Sequence, residues 1–124
     1  MSHPIVHVEI SAQDRAKLAD FYSEIFGWQF QDYPDMNYTT FTSGEGGVGG
    51  GYNPVQEDNP AGTIVVYIAV DDVQGTLDKI EECGGKTLVP PTEIPGVGTI
   101  AQFHDPTGNR MAIIKGDENA MQEG

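Results

Sequence analysis

Hydrophobic and polar positions alternate at the start of the chain. Residues 5–10 read Ile-Val-His-Val-Glu-Ile, so Val6, Val8 and Ile10 share one face while Ile5, His7 and Glu9 share the other. A period of two predicts a strand with one apolar and one mixed face. Ser11-Ala12-Gln13-Asp14 then offers a Ser-x-x-acid helix start. Leu18, Phe21, Tyr22 and Ile25 follow at the spacing of one helix face, and Gly27 supplies a left-handed stop. Extended runs at 28–33 and 38–42 flank the turn Pro34-Asp35-Met36-Asn37. A glycine-rich run from Gly44 to Gly51 leads into Tyr52-Asn53-Pro54, and residues 55–62 have the composition of a linker.

The pattern then restarts. Residues 63–70, Thr-Ile-Val-Val-Tyr-Ile-Ala-Val, read as a strand. Asp71 or Asp72 caps a second helix with Val73, Leu77 and Ile80 inward, and Gly84-Gly85 ends it. Residues 86–89, 99–104 and 110–115 read as three more strands. Pro90-Pro91 bends the first of these or confines it to an edge. Asp105-Pro106-Thr107-Gly108-Asn109 is a turn. Laying His7 on Tyr67 gives an offset of 67 − 7 = 60 residues, about half the chain. The expectation is a single domain of two βαβββ repeats, about 5–54 and 63–115, with a linker at 55–62 and a frayed tail at 116–124. The expected class is α+β, a curved mixed sheet around a cavity with the helices outside.

Composition narrows the function classes. The chain has 124 residues, with 6 Lys and Arg against 19 Asp and Glu, a formal charge of −13. Such acidity repels phosphate backbones and anionic membrane surfaces, so neither nucleic acid nor membrane is an expected partner. No stretch approaches the ~18 apolar residues of a membrane span. Met1-Ser2-His3-Pro4 lacks a signal-peptide pattern. Cys83 is the one cysteine, which excludes an internal disulfide, and its neighbours Glu81 and Glu82 favour a packing thiol over a nucleophile. A soluble cytoplasmic protein is expected.

Three segments carry a family resemblance: Val6-His7-Val8-Glu9-Ile10, the helix end Phe21-Tyr22 to Phe26-Gly27-Trp28, and Phe103-His104-Asp105-Pro106-Thr107-Gly108-Asn109. Together they resemble the vicinal oxygen chelate superfamily, which includes glyoxalase I, bleomycin-resistance proteins and extradiol dioxygenases. The resemblance runs from about Ile5 to Lys115 and implies a homodimer. It identifies fold better than activity, because one scaffold hosts several chemistries.

Metal-dependent members place up to four donors on the inner strands of the two repeats, since a divalent ion needs several converging N or O atoms. Carried over by position, the pattern falls on His7, on Gly49-Gly50-Gly51, on Tyr67 and on Ala112. Only His7 matches, so no metal or other cofactor is expected. The run Gly44-Glu45-Gly46-Gly47-Val48-Gly49 is formally a dinucleotide fingerprint, but no helix can start at Gly50-Gly51-Tyr52-Asn53-Pro54. It reads instead as a strand whose bare backbone leaves room in the cavity.

The candidate ligand-binding residues are His7, Tyr67, Gln102, Tyr38 and Tyr52, with Thr40 and Trp28 as further walls. His7 and Glu9 are the candidate acid–base pair, although Glu9 also suits a solvated strand end. His104 is expected to face solvent. Arg110 suits either an anionic group or the offset of nearby acids. Three functions remain. The first is a glyoxalase/bleomycin-resistance-like protein binding a small organic molecule in a metal-independent pocket. The second is a lyase or isomerase related to lactoylglutathione lyase, and the third a non-catalytic dimeric regulatory module.

Overall fold

The structure is a computed structural model that describes residues 2–116. Apart from Gly116, the expected tail lies outside the described residues. The elements are β1 (Ile5–Ala12), α1 (Arg15–Phe26), β2 (Gln29–Tyr33), β3 (Tyr38–Thr42), β4 (Gly49–Pro54), β5 (Ile64–Ala69), α2 (Val73–Glu82), β6 (Lys86–Ile94), β7 (Gly98–His104) and β8 (Arg110–Gly116). The order β-α-β-β-β occurs twice, and the α+β class holds. The first compact unit spans Val6–Val66, and the second is built from Tyr67 onward with the residues before Val6.

In the first unit the strand order is β2-β3-β4-β1. β2/β3 and β3/β4 are antiparallel, and β4/β1 is parallel. Helix α1 starts later than the Ser11 box implied, because β1 runs on through Ala12 and keeps its backbone in the ladder. Asp14 is the cap, its carboxylate accepting from Lys17 N at 3.1 Å. Gly27 closes the helix at φ 73, donating to Ser23 O at 2.9 Å. The helix packs through Ala19, Leu18 and Tyr22 against Ala12, Phe41 and Tyr52. Phe21 and Ile25, the other members of the apolar stripe, are 51% and 58% exposed. A 3.6 period predicts a stripe about 100° wide, and only its Leu18–Tyr22 edge meets the sheet.

The segment 55–62 is more than a spacer. Gln56 and Asn59 exchange backbone hydrogen bonds of 3.1 and 3.0 Å, and the buried Asn59 side chain donates to Pro54 O at 2.9 Å.

In the second unit the order is β5-β8-β7-β6, with β5/β8 parallel and the rest antiparallel. Asp72, not Asp71, caps α2 and accepts from Gly75 N at 3.0 Å. Val73 and Leu77 are buried with Val70, Ala101, Phe103 and Ile113, and Ile80 packs beside them. Removing the Leu77 side chain to Cβ would cost about 2–5 kcal/mol. β6 runs through Pro90 and Pro91 to Ile94, with register shifts on both sides of Val89. It is the last strand in the order, where a missing N–H costs no ladder bond.

Candidate functional site

The apolar face of β1 fixes where its polar face points. Ala12 and Ile10 pack with the α1 cluster, so His7 and Glu9 project to the opposite side of the sheet. There the hydroxyl of Tyr38 lies 2.9 Å from His7 Nε2 and donates to Glu9 Oε2 at 3.2 Å. Asn53 Nδ2 donates to the other oxygen, Glu9 Oε1, at 3.1 Å. Glu9 is therefore not a solvated strand end. It accepts from two side chains on β3 and β4, and reaches His7 through a tyrosine. Asn53 was missed in the sequence. Its signal is the register, since Ser11 pairs with Asn53 one step beyond Glu9 and Gly51.

The network sets the state of the imidazole. Burial lowers the pKa of His7 below its ordinary 6.5, favouring the neutral ring. With Glu9 ionised, the one Tyr38 proton points to Glu9, so His7 Nε2 carries the proton that reaches Tyr38 Oη. The basic lone pair then sits on Nδ1.

Position 51 explains how Tyr38 gets there. A Cβ on Gly51 would overlap the Tyr38 hydroxyl and ring. One on Gly50 would strike Val8 O and the Phe41 ring. The glycine strand thus admits side chains from its neighbours. The expectation of empty room is corrected at Gly51, because Tyr38 fills it.

Tyr52 is also corrected. It is 1% exposed and belongs to the α1 side, where Tyr22, Trp28, Phe41 and Tyr52 stack in series with centroids 4.9, 4.8 and 5.0 Å apart. Burial and the neighbouring Tyr22 push its hydroxyl up to about 12. Tyr52 and Trp28 are core rings, separated from His7 by the sheet. Thr40 keeps the same face as Tyr38 and lies opposite Gly51.

In the second unit Tyr67, Ala112 and Gln102 stand side by side across β5, β8 and β7. Their flanking residues Ala101, Phe103 and Ile113 face α2, so Tyr67 and Gln102 point away from it. Tyr67 is buried and Gln102 half-buried. His104 is half-buried rather than solvent-facing. Cys83 is exposed, which corrects the packing thiol: it caps α2 at a point where the chain has already left the core.

In register, neither Gly49 nor Ala112 adds a donor beside His7 or Tyr67. The Tyr38 hydroxyl engages His7 Nε2 at 2.9 Å. Among the described residues no three His, Cys, Asp or Glu side chains converge.

Two hollows in the first unit flank α1. One of about 400 Å³ is lined by Asp14, Arg15, Phe30, Asp32 and Thr39. The other, of about 530 Å³, is lined by Ser11, Leu18, Phe21 and Val55. Neither contains a candidate residue. In the first, Arg15 Nη1 donates to Asp32 Oδ1 at 2.6 Å and to Thr39 Oγ1 at 3.0 Å, while Thr39 donates to Asp32 at 2.8 Å. This closed triad ties α1 to β2 and β3, a structural role that no local pattern signals.

Comparison with known proteins agrees with this architecture. The profile of the Glyoxalase/Bleomycin resistance protein/Dioxygenase superfamily matches residues 4–113. A glyoxylase-like domain-containing protein of Didymella fabae is 35% identical over 113 residues, covering 86% of this chain and 88% of that protein. The anthracycline biosynthesis protein DnrV of Streptomyces peucetius is 30% identical over 121 residues. This chain spans only 44% of its length. The crystal structure of methylmalonyl-CoA epimerase from Mycobacterium tuberculosis superposes with a TM-score of 0.71 at 10% identity, over 95% of this chain and 91% of that one. At that identity the likeness is one of fold. The profile match across both βαβββ units assigns this chain to the Glyoxalase/Bleomycin resistance protein/Dioxygenase superfamily.

Proposed function

We propose that this glyoxalase-like protein binds a small organic molecule without a metal ion. The observation that carries the reading is the Tyr38 hydroxyl set 2.9 Å from His7 Nε2, on the polar face of β1. The phenol oxygen there, whose proton goes to Glu9, offers a ligand an acceptor lone pair, and Asn53 holds Glu9 in place. Within the first unit His7, Glu9 and Tyr38 are the proposed contacts, and Tyr67 and Gln102 are proposed separately for the second unit taken by itself. Tyr52 leaves the set. The protein is proposed to be cytoplasmic and homodimeric, with no nucleic-acid partner.

The test pairs metal analysis with a thermal-shift screen. Protein exposed to nickel, zinc, manganese or iron(II) and then desalted is expected to retain well under one ion per chain. Aromatic and antibiotic-like compounds are expected to raise the melting midpoint of the wild type and to lose that effect in Tyr38→Phe. Stoichiometric metal lost on His7→Ala would overturn the reading, as would a screen with no stabilising compound.

A second reading, a lyase or isomerase, is favoured by the proton path His7–Tyr38–Glu9. Neutral His7 would act as base through Nδ1, and Tyr38, its phenolate steadied by the His7 Nε2–H, as the proton donor once its hydroxyl turns from Glu9 to the substrate. Turnover of the methylglyoxal–glutathione hemithioacetal that vanishes in both His7→Ala and Tyr38→Phe would select it.

A further inference from the structure

The hollow that Arg15 and Asp32 share lies on the α1 side of the first unit's sheet, away from His7. Thr39 and Phe30, which line it, pair with the core residues Tyr52 and Phe41 of that side. Its volume of about 400 Å³ is at the small end of the roughly 300–1,000 Å³ of ligand clefts. Ala19 and Thr39, both buried, form its inner lining. Phe30 stands beside them 45% exposed, although its ladder partner Phe41 is 4% exposed. Nearly half of an aromatic ring is thus left uncovered next to an open hollow.

The Arg15–Asp32–Thr39 triad uses one nitrogen of the guanidinium. Nη1 makes both bonds, to Asp32 Oδ1 and to Thr39 Oγ1. Among the described residues Nε and Nη2 have no protein partner, although the side chain is only 19% exposed. A guanidinium stays charged, and its remaining N–H groups form a fork that matches a carboxylate. On the acid side, Asp32 Oδ1 accepts both triad bonds and Oδ2 accepts none among the described residues. Asp14, also on the lining, caps α1 through Oδ1.

The lining therefore sets one fixed cation against two carboxylates. A plain anion would meet that excess of negative charge, in a chain of −13. A plain amine would cover the guanidinium fork without pairing it, which costs the desolvation of a charged group. A molecule with both charges a few atoms apart satisfies both. We propose that this hollow binds a small zwitterion of the α-amino acid type. Its carboxylate takes the Nε and Nη2 donors of Arg15, its ammonium lies beside Asp32 and Asp14, and its apolar side chain covers Phe30. This is a second site, beyond the reading built on His7.

The test is an amide NMR titration of the full chain with L-phenylalanine, N-acetylphenylalanine and phenethylamine. The last two each lack one of the charges. Phenylalanine is expected to shift the amides of Asp14, Arg15, Phe30, Asp32 and Thr39. Each one-charge probe is expected to bind at least about tenfold more weakly, the loss of a hydrogen bond between charged groups. Arg15→Lys keeps a cation for Asp32 but removes the fork, and is expected to weaken phenylalanine at least about tenfold. Phe30→Ala removes an exposed ring and is expected to weaken phenylalanine but not glycine. The comparison of the three probes on the wild type stands even if a variant fails to fold. The site is overturned by no shift at these amides, by either one-charge probe binding as tightly as phenylalanine, or by undiminished affinity in both variants.

Discussion

The ring and hydroxyl of Tyr38 occupy the space that a Cβ on Gly51 would take. The absence of one side chain on β4 thus lets a tyrosine from β3 reach His7 and Glu9 on β1. Gly51→Ala is expected to cost about 1–3 kcal/mol through overpacking. It should also push Tyr38 off His7. Urea unfolding reads the first effect and the His7 ring nitrogen shifts read the second. An alanine variant unchanged in both would show that Tyr38 does not depend on the glycine.

His7 gives the fold a pH dependence of defined sign. Burial lowers its pKa in the folded state, so between that value and the ordinary 6.5 the unfolded chain binds more protons. This contribution is fully present above about pH 6.5 and is lost as the pH falls toward the folded value. Replacing His7 with Gln is expected to flatten stability against pH in that window, with the acidic limb below it intact. Parallel curves for the two proteins would refute the assignment.

Thr39 is 2% exposed and holds the Arg15–Asp32 pair in a closed triad. Thr39→Val keeps the shape and removes both hydrogen bonds. The expected loss is about 1–3 kcal/mol, read as a lower urea midpoint with the slope unchanged. The ion pair alone is worth little, because Asp32 is half exposed.

Asp105 organises the turn between β7 and β8. Hydrogen bonds from the Asn109 side chain and backbone, with those of Thr107, hold its carboxyl down to about 2. The folded value lies below the unfolded one near 3.9, so this support is complete above about pH 4 and disappears as pH falls toward 2. Asp105→Ala is expected to lower the melting midpoint at pH 7 and to erase the difference from wild type near pH 2. A gap of equal size at both pH values would mean that the side chain stabilises the turn in some other way.

Much of this protein is written in short-range pattern. The alternation of Val6, Val8 and Ile10, the stop at Gly27, and the Asp-Pro-x-Gly-Asn turn each act over a few residues. The restart of the strand–helix pattern about 60 residues on implied two βαβββ units, which the order β-α-β-β-β, found twice, bears out. The bare positions at Gly49, Gly51 and Ala112 were equally legible, since they depend only on which residue sits on which strand.

Tertiary structure decided what local pattern cannot contain. Which edge of the α1 stripe is buried depends on the helix's rotation against the sheet, and so Phe21 and Ile25 ended outside. Tyr38 and Tyr52 look alike in sequence, yet strand parity in the paired ladder sends one to His7 and the other into the ring stack under α1. The partner of His7 is 31 residues away, and that contact exists only once β1, β4 and β3 lie in register. A residue's face follows from its own neighbours in sequence. Its partners follow from register, which long-range pairing alone can set.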